Sequence, residues 1–235
     1  MRLREVTASD LVTVNRRLNP KIWQDEELDS AVRAKLLEIA KAFQEFVGVE
    51  LNVQDYTITG SNANYTWTRY SDLDLHLIVP GVPNDADREL YSAKKALWGE
   101  QHDITIRGMP VECYVQGSGE PHHSTGVYSL SKNKWLVEPK KVKPKIDDAA
   151  VRAKSDSLAH DAKTVLKSQD LDKIRAVKEK ITKMRQSGLE RAGEWSVENL
   201  AFKILRNLGL IDELADRIRE LEDKNLSLEQ AQVLD

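Results

Sequence analysis

The sequence predicts an α+β protein: a mixed α/β domain with an N-terminal helix over residues 1–140, then a helical domain over 141–235. Three observations predict it. Apolar residues between Leu28 and Val47 recur at helical spacing, whereas Leu73–Val79 alternates as a half-buried strand does. Beyond Glu138–Pro144, a segment with two prolines and three lysines that reads as a linker, every pattern is helical.

The elements follow in order. Asn19-Pro20 predicts a turn before the first helix. In that helix Leu28, Val32, Leu36, Leu37, Ile39, Ala40, Phe43 and Phe46 make a helical face, and Gly48 ends it. Tyr56–Thr59, β-branched and aromatic, predicts a strand closed by Gly60-Ser61. Residues 62–70 are polar and aromatic, with room for a short helix. Leu73–Val79 is a strand stopped by Pro80-Gly81. Residues 84–100 predict a helix opened by Asn84 or Asp85, with Leu90, Ala93, Leu97 and Trp98 on one side. His102–Ile106 and Val111–Val115 predict strands joined around Gly108 and Pro110, and shorter strands are expected near 126–130 and 134–137. Helices are expected over about 148–168, 170–187, 196–208 and 210–223, punctuated by Gly188, Gly193 and Gly209. Ser196 should cap a helix with a Leu200, Ile204 and Leu208 stripe.

Composition narrows the class. A chain of 235 residues can bury a sizeable core without staples. Its single cysteine, Cys113, excludes an internal disulfide framework and a multi-cysteine zinc site, and it suits a reducing compartment. No run approaches the roughly 18 apolar residues of a membrane span, and MRLREVTASD has no apolar leader, so a cytoplasmic protein is expected. The net charge of −3 hides an asymmetry. Residues 1–130 carry 13 basic and 19 acidic side chains, residues 131–191 carry 17 and 9, and residues 192–235 carry 5 and 10. The basic middle fits either a polyanion partner, such as a triphosphate or RNA, or a solvated helical face.

The stretch that carries chemistry runs from Gly60-Ser61 to Ser71-Asp72-Leu73-Asp74-Leu75. Residues i and i+2 of a strand share a side, so Asp72 and Asp74 project together while Leu73 and Leu75 enter the core. Paired carboxylates stay ionised when a cation lies between them, and all-oxygen ligands suit Mg²⁺ carrying substrate phosphates. A Gly-Ser turn lets the backbone approach a phosphate closely. Glu112, flanked by apolar residues on a predicted strand, would complete the site if that strand neighbours the Asp72 strand; Asp103 competes for the role.

These residues resemble the DNA polymerase beta-like nucleotidyltransferase superfamily. The shared pattern is Gly60-Ser61, then Asp72-x-Asp74, then Glu112, over about residues 50–116. Glutamate stands where aspartate is more usual. The segments LNPKIW, GVYSLSKNKW and GEWSVENLAFKILRNLG are also similar to uncharacterised nucleotidyltransferase-like proteins of tailed bacteriophages. The resemblance implies a mixed sheet with helices on one face and a trailing helical domain that closes the cleft. It implies transfer of a nucleoside monophosphate from an NTP to a hydroxyl, with two Mg²⁺ or Mn²⁺ ions on Asp72, Asp74 and Glu112. Gly60 and Ser61 would hold the β,γ-phosphates, with Arg69, Ser71, His76 and Tyr128 as further nucleotide-binding candidates.

Each secondary candidate has a plainer reading. His76 could contact substrate, orient an aspartate or pack at a cleft wall. Arg69 could hold a phosphate or pair with a carboxylate, and Asn62 and Asn64 lie near the turn. Tyr65, Trp67 and Tyr70 could stack a base or pack in the core. Tyr128 could line the nucleotide pocket. Lys132, Lys134, Lys140 and Lys141 could neutralise phosphates. His102, His122 and His123 lack metal-ligand spacing, and Cys113 reads as core. The acceptor is open: an RNA or tRNA 3′ end, a protein hydroxyl, a small molecule or a second nucleotide. The rival from another class is a non-catalytic nucleotide-sensing module that acts through a protein partner.

Overall fold

The computed structural model describes residues 14–69, 71–120, 125–141 and 145–227. Tyr70, His122 and His123, the stretch MRLREVTASD and linker residues 142–144 lie outside the described residues.

The chain divides into two compact units, one spanning Thr13–Lys143 and the other containing the helices from Asp148 onward. The first begins with a two-residue hairpin of β1 (Trp23–Gln24) and β2 (Glu27–Leu28). Helix α1 (Ser30–Val47) therefore starts two residues later than its apolar pattern, because Leu28 pairs in β2. Asp29 caps α1 by accepting from the amides of Ala31 and Val32, and Gly48 ends it in the left-handed conformation.

There follow β3 (Asp55–Thr59), β4 (Leu73–Val79), α2 (Asp85–Gln101), β5 (Thr105–Ile106), β6 (Met109–Gly117), β7 (Val127–Ser129) and β8 (Lys134–Val137). The last six strands form one sheet in the order β5-β6-β4-β3-β7-β8. β4 and β6 are parallel, as a strand–helix–strand crossover through α2 requires, and the other neighbours are antiparallel. Alternation gives the sheet two characters. Ile58, Leu73, Leu75, Leu77 and Cys113 pack with Leu36 and Phe43 of α1 in one core. The opposite face carries Thr57 and Thr59 of β3, Asp74 and His76 of β4, and Glu112 and Tyr114 of β6.

Five expectations need correction in detail. The strand expected over His102–Ile106 shrinks to Thr105–Ile106, because Arg107-Gly108 makes a tight turn with both φ positive and β6 already starts at Met109. The short helix expected in 62–70 is a single turn, Ser61–Ala63. In α2, Ala93 and Leu97 are exposed; Tyr91, Lys94, Lys95 and Trp98 face inward instead. There the amphipathic lysine stems cover apolar surface that the apolar pattern assigned to alanine and leucine.

The second unit comprises α3 (Asp148–Leu166), α4 (Leu171–Ala192), α5 (Val197–Asn207) and α6 (Leu210–Leu226). Leu158, Ile174, Ile181, Leu205 and Leu214 form its main core. The fourth correction falls here: Gly188 does not end a helix, and α4 runs on to Ala192. A Cβ at Gly188 would lie 2.6 Å from Glu198 Cβ and 2.8 Å from Ser196 Oγ, so the glycine serves close packing against the start of α5. Ser196 caps α5 through the Asn199 amide as expected, but Leu208 is exposed and Leu205 takes its place in the stripe. Among the described residues no helix is long and apolar enough to cross a membrane.

Candidate active site

Three carboxylates meet at the amino-terminal end of the parallel pair. The β4–β6 register sets Asp74 directly beside Glu112, so both side chains leave the same side of the sheet. Asp72 lies two residues before Asp74, while Leu73 and Leu75 anchor the strand in the core with no exposed surface. One oxygen from each of Asp72, Asp74 and Glu112 lies within 4.8 Å of the others. All three are partly exposed, so the cluster opens to solvent.

The Gly-Ser turn closes on this cluster from β3. Gly60 has φ 72° and ψ −159°, a region that is nearly glycine-only. A Cβ there would fall 1.9 Å from Asp74 Oδ2, so glycine is also what lets the carboxylate lie against the backbone. Ser61 Oγ donates to Ser71 Oγ at 2.8 Å, and Ser71 Oγ accepts from the Thr68 amide at 2.9 Å. Asn62, wholly buried, donates to the Asp72 carbonyl at 2.7 Å and accepts from Asn19 Nδ2 at 2.7 Å. The Trp23 indole donates to the Asn62 carbonyl at 2.7 Å. The turn and the first aspartate are thus tied into one piece.

Crowding shapes the charges. Burial first, then the charges of Asp72 and Glu112, push the Asp74 carboxyl up to about 7. Burial pushes Glu112 up too, but hydrogen bonds from Lys95 and Tyr114, with the Lys95 charge, outweigh it and hold Glu112 below its ordinary value. Lys95 Nζ lies 2.8 Å and Tyr114 Oη 2.6 Å from the same oxygen, Glu112 Oε2. Burial pushes the Tyr114 hydroxyl far up, which keeps it a donor. Cys113, facing the opposite side, is buried and pushed up to about 12, which suits a core thiol.

Other candidates distribute unevenly. His76 lies on the same face as the triad and stacks on Tyr114, ring centroids 4.7 Å apart at 17°. Its Nε2 is 3.2 Å from Thr59 Oγ1 and its Nδ1 is 2.7 Å from Gln116 Oε1. Its ring is thus held between neighbours on β3 and β6. Tyr128 corrects the expectation of a pocket-lining tyrosine. Its register partner is Ile58, which turns it to the core side, where it is 3% exposed and packs edge-on against Trp23 and Trp135. Arg69 is exposed in the loop before Ser71. Asp103 is exposed and stands outside the carboxylate group.

Tyr65 is buried with the Lys141 ammonium 4.6 Å over its ring, and the Trp67 indole donates to the Arg17 carbonyl at 2.9 Å. Asn64 is buried and bonds the Thr125 hydroxyl. Lys132 pairs with Asp55 at 3.3 Å, whereas Lys134 and Lys140 are exposed. His102 follows α2 and packs on Trp98 at 4.1 Å. Sequence reasoning missed Lys95 and Tyr114, and it placed Asn62 near the turn without its tie to Asp72. The signals were present: Lys95 lies one turn before Trp98, and Tyr114 lies two residues from Glu112 on the same strand face.

No protein-family model matches the chain, and no curated protein matches it by sequence. Among solved structures, one similar chain is a STING-associated CdnE c-di-GMP synthase from Capnocytophaga granulosa. It is 13% identical, with 84% of each chain covered and a TM-score of 0.24. Another is the E. coli MS115-1 CdnC:HORMA-deltaN complex, 15% identical, with 77% of this chain and 61% of that chain covered and a TM-score of 0.22.

Proposed function

We propose that this chain is a metal-dependent nucleotidyltransferase that moves a nucleoside monophosphate from an NTP to an acceptor hydroxyl and releases pyrophosphate. The observation that carries the reading is the convergence of Asp72, Asp74 and Glu112 on one partly exposed sheet face against the Gly60 turn. The donor set fits a hard cation: it is all oxygen, it is anionic, and it is open on one side. Bound there, Mg²⁺ or Mn²⁺, as two ions, would offset charge on both the entering and the leaving oxygen.

Asp72 and Asp74 would hold the cations, and Glu112 would complete the ligand set. Gly60, Ser61 and Ser71 would hold the β,γ-phosphates, with exposed Arg69 as a further phosphate ligand; His76 lies on the same sheet face as the triad. The acceptor hydroxyl gives up its proton to water, its oxygen bonds the α-phosphorus in line, and pyrophosphate leaves with the electron pair of the broken P–O bond. The acceptor is an RNA or tRNA 3′ end or a protein side chain, and the basic segment 131–191 favours the nucleic acid.

The test is incubation of the purified chain with each α-labelled NTP and Mg²⁺ or Mn²⁺ in cell extract, beside an Asp72→Ala, Asp74→Ala variant. Label recovered in RNA or protein, and lost in the variant, is the expected result and names the acceptor. Absence of label with NTP binding intact would overturn transfer and favour a nucleotide-sensing module.

A further inference from the structure

Glu112 is held from behind by a scaffold in which each part constrains the next. Lys95 of α2 and Tyr114 of β6 both donate to Glu112 Oε2, at 2.8 and 2.6 Å. The Lys95 ammonium also lies 3.6 Å over the Tyr114 ring, which ties the two donors together. The other flank of Tyr114 is closed by the stacked His76 ring. His76 Nδ1 lies 2.7 Å from Gln116 Oε1 and Nε2 3.2 Å from Thr59 Oγ1, so both ring nitrogens are engaged.

A carboxylate oxygen has two lone pairs. Two donors at these distances engage Oε2, which leaves Oε1 as the oxygen better placed for a cation; Asp72 also meets Glu112. We propose that Lys95 and Tyr114 are positioning residues that make Glu112 a one-oxygen metal ligand. This inference rests on the metal-dependent reading of the site and adds two residues to it. Free of its two donors, Glu112 could swing or chelate a cation through both oxygens. Such a ligand binds more tightly but blocks the coordination position an acceptor hydroxyl needs. The scaffold therefore trades cation affinity for an open position.

The experiment is a Mn²⁺ titration of the full chain, read by the paramagnetic signal of the free ion, with steady-state transfer and thermal melts on the same preparations. The variants are Lys95→Met, Lys95→Arg, Tyr114→Phe and Glu112→Gln. Lys95→Met should bind Mn²⁺ about threefold to tenfold more tightly, since it frees a lone pair and removes a repelling charge. Tyr114→Phe removes a donor without removing a charge and should tighten binding in the same direction by about twofold or more. Both should lower kcat by about tenfold or more while KM for NTP moves less than about threefold. Lys95→Arg should recover most of the wild-type behaviour.

In a Glu112→Gln background the tightening should shrink by more than half, roughly the non-additivity expected of groups in contact. Unchanged or weaker Mn²⁺ binding in both Lys95→Met and Tyr114→Phe, or a raised kcat, overturns the proposal. Equal Mn²⁺ binding by wild type and Glu112→Gln would instead overturn the triad as a metal site, and this inference with it.

Discussion

Asp74 is pressed between the Gly60 backbone and two other carboxylates, and its proton affinity follows from that confinement. Its carboxyl titrates near 7 in the fold against an ordinary 3.8. The folded state therefore keeps a proton that the unfolded chain releases between about pH 4 and 7. The stabilisation is complete below about pH 4 and is lost as pH rises through about 7, a swing on the order of 4 kcal/mol at most. In metal-free buffer, Asp74→Asn should have a higher urea midpoint than wild type at pH 8, and the gap should close below pH 4. Adding Mn²⁺ at pH 8 should raise the wild-type midpoint and leave the variant's unchanged. Gly60→Ala meets a different obstacle, a Cβ 1.9 Å from Asp74 Oδ2 at a positive φ. It should cost about 1–3 kcal/mol in the same denaturation and about 10²-fold or more in transfer.

At the scale of elements, the turn after β3 behaves as one part with the start of β4, because Asn62 spans them. Asn62→Ala leaves the Asp72 carbonyl, Asn19 and the buried pocket short of partners. It should lower stability by about 1–3 kcal/mol and loosen Asp72, reducing Mn²⁺ affinity measured by titration. Gly188→Ala is a packing test in α4: its methyl would overlap Glu198 Cβ and Ser196 Oγ. A loss of about 1–3 kcal/mol in thermal melts is expected, although alanine is the better helix former by about 1 kcal/mol. A gain in stability would show that α4 and α5 are spaced further apart than the structure has them.

At the scale of the molecule there are separate cores. Among the described residues, the one around Leu36, Phe43, Leu73 and Leu75 draws only on the first unit, and the one around Leu158, Ile181 and Leu205 only on the second. The carboxylates, the turn and the Lys95–Tyr114 scaffold all belong to the first unit. A fragment of residues 13–143 should therefore melt cooperatively by itself and bind Mn²⁺ within about threefold of the full chain. A fragment that fails to fold would show that the cores are interdependent.

Elements whose own side chains report their burial were legible in the sequence: the period-2 leucines of β4, the apolar face of α1, the Ser196 cap, and the pairing of Asp72 with Asp74 on one side of a strand. These depend on short-range periodicity, which the chain carries locally. What lay beyond it depended on which strands are neighbours. Only the parallel β4–β6 register sets Glu112 beside Asp74, and only the β3–β7 register turns Tyr128 into the core and away from the site. Lys95 is a lysine on an inward helix face, a position apolar patterning cannot register, and its meeting with Glu112 spans 17 residues. Local propensity determined the elements and the candidate carboxylates; strand order and helix rotation, set by packing between residues distant in sequence, decided which side chains share a site.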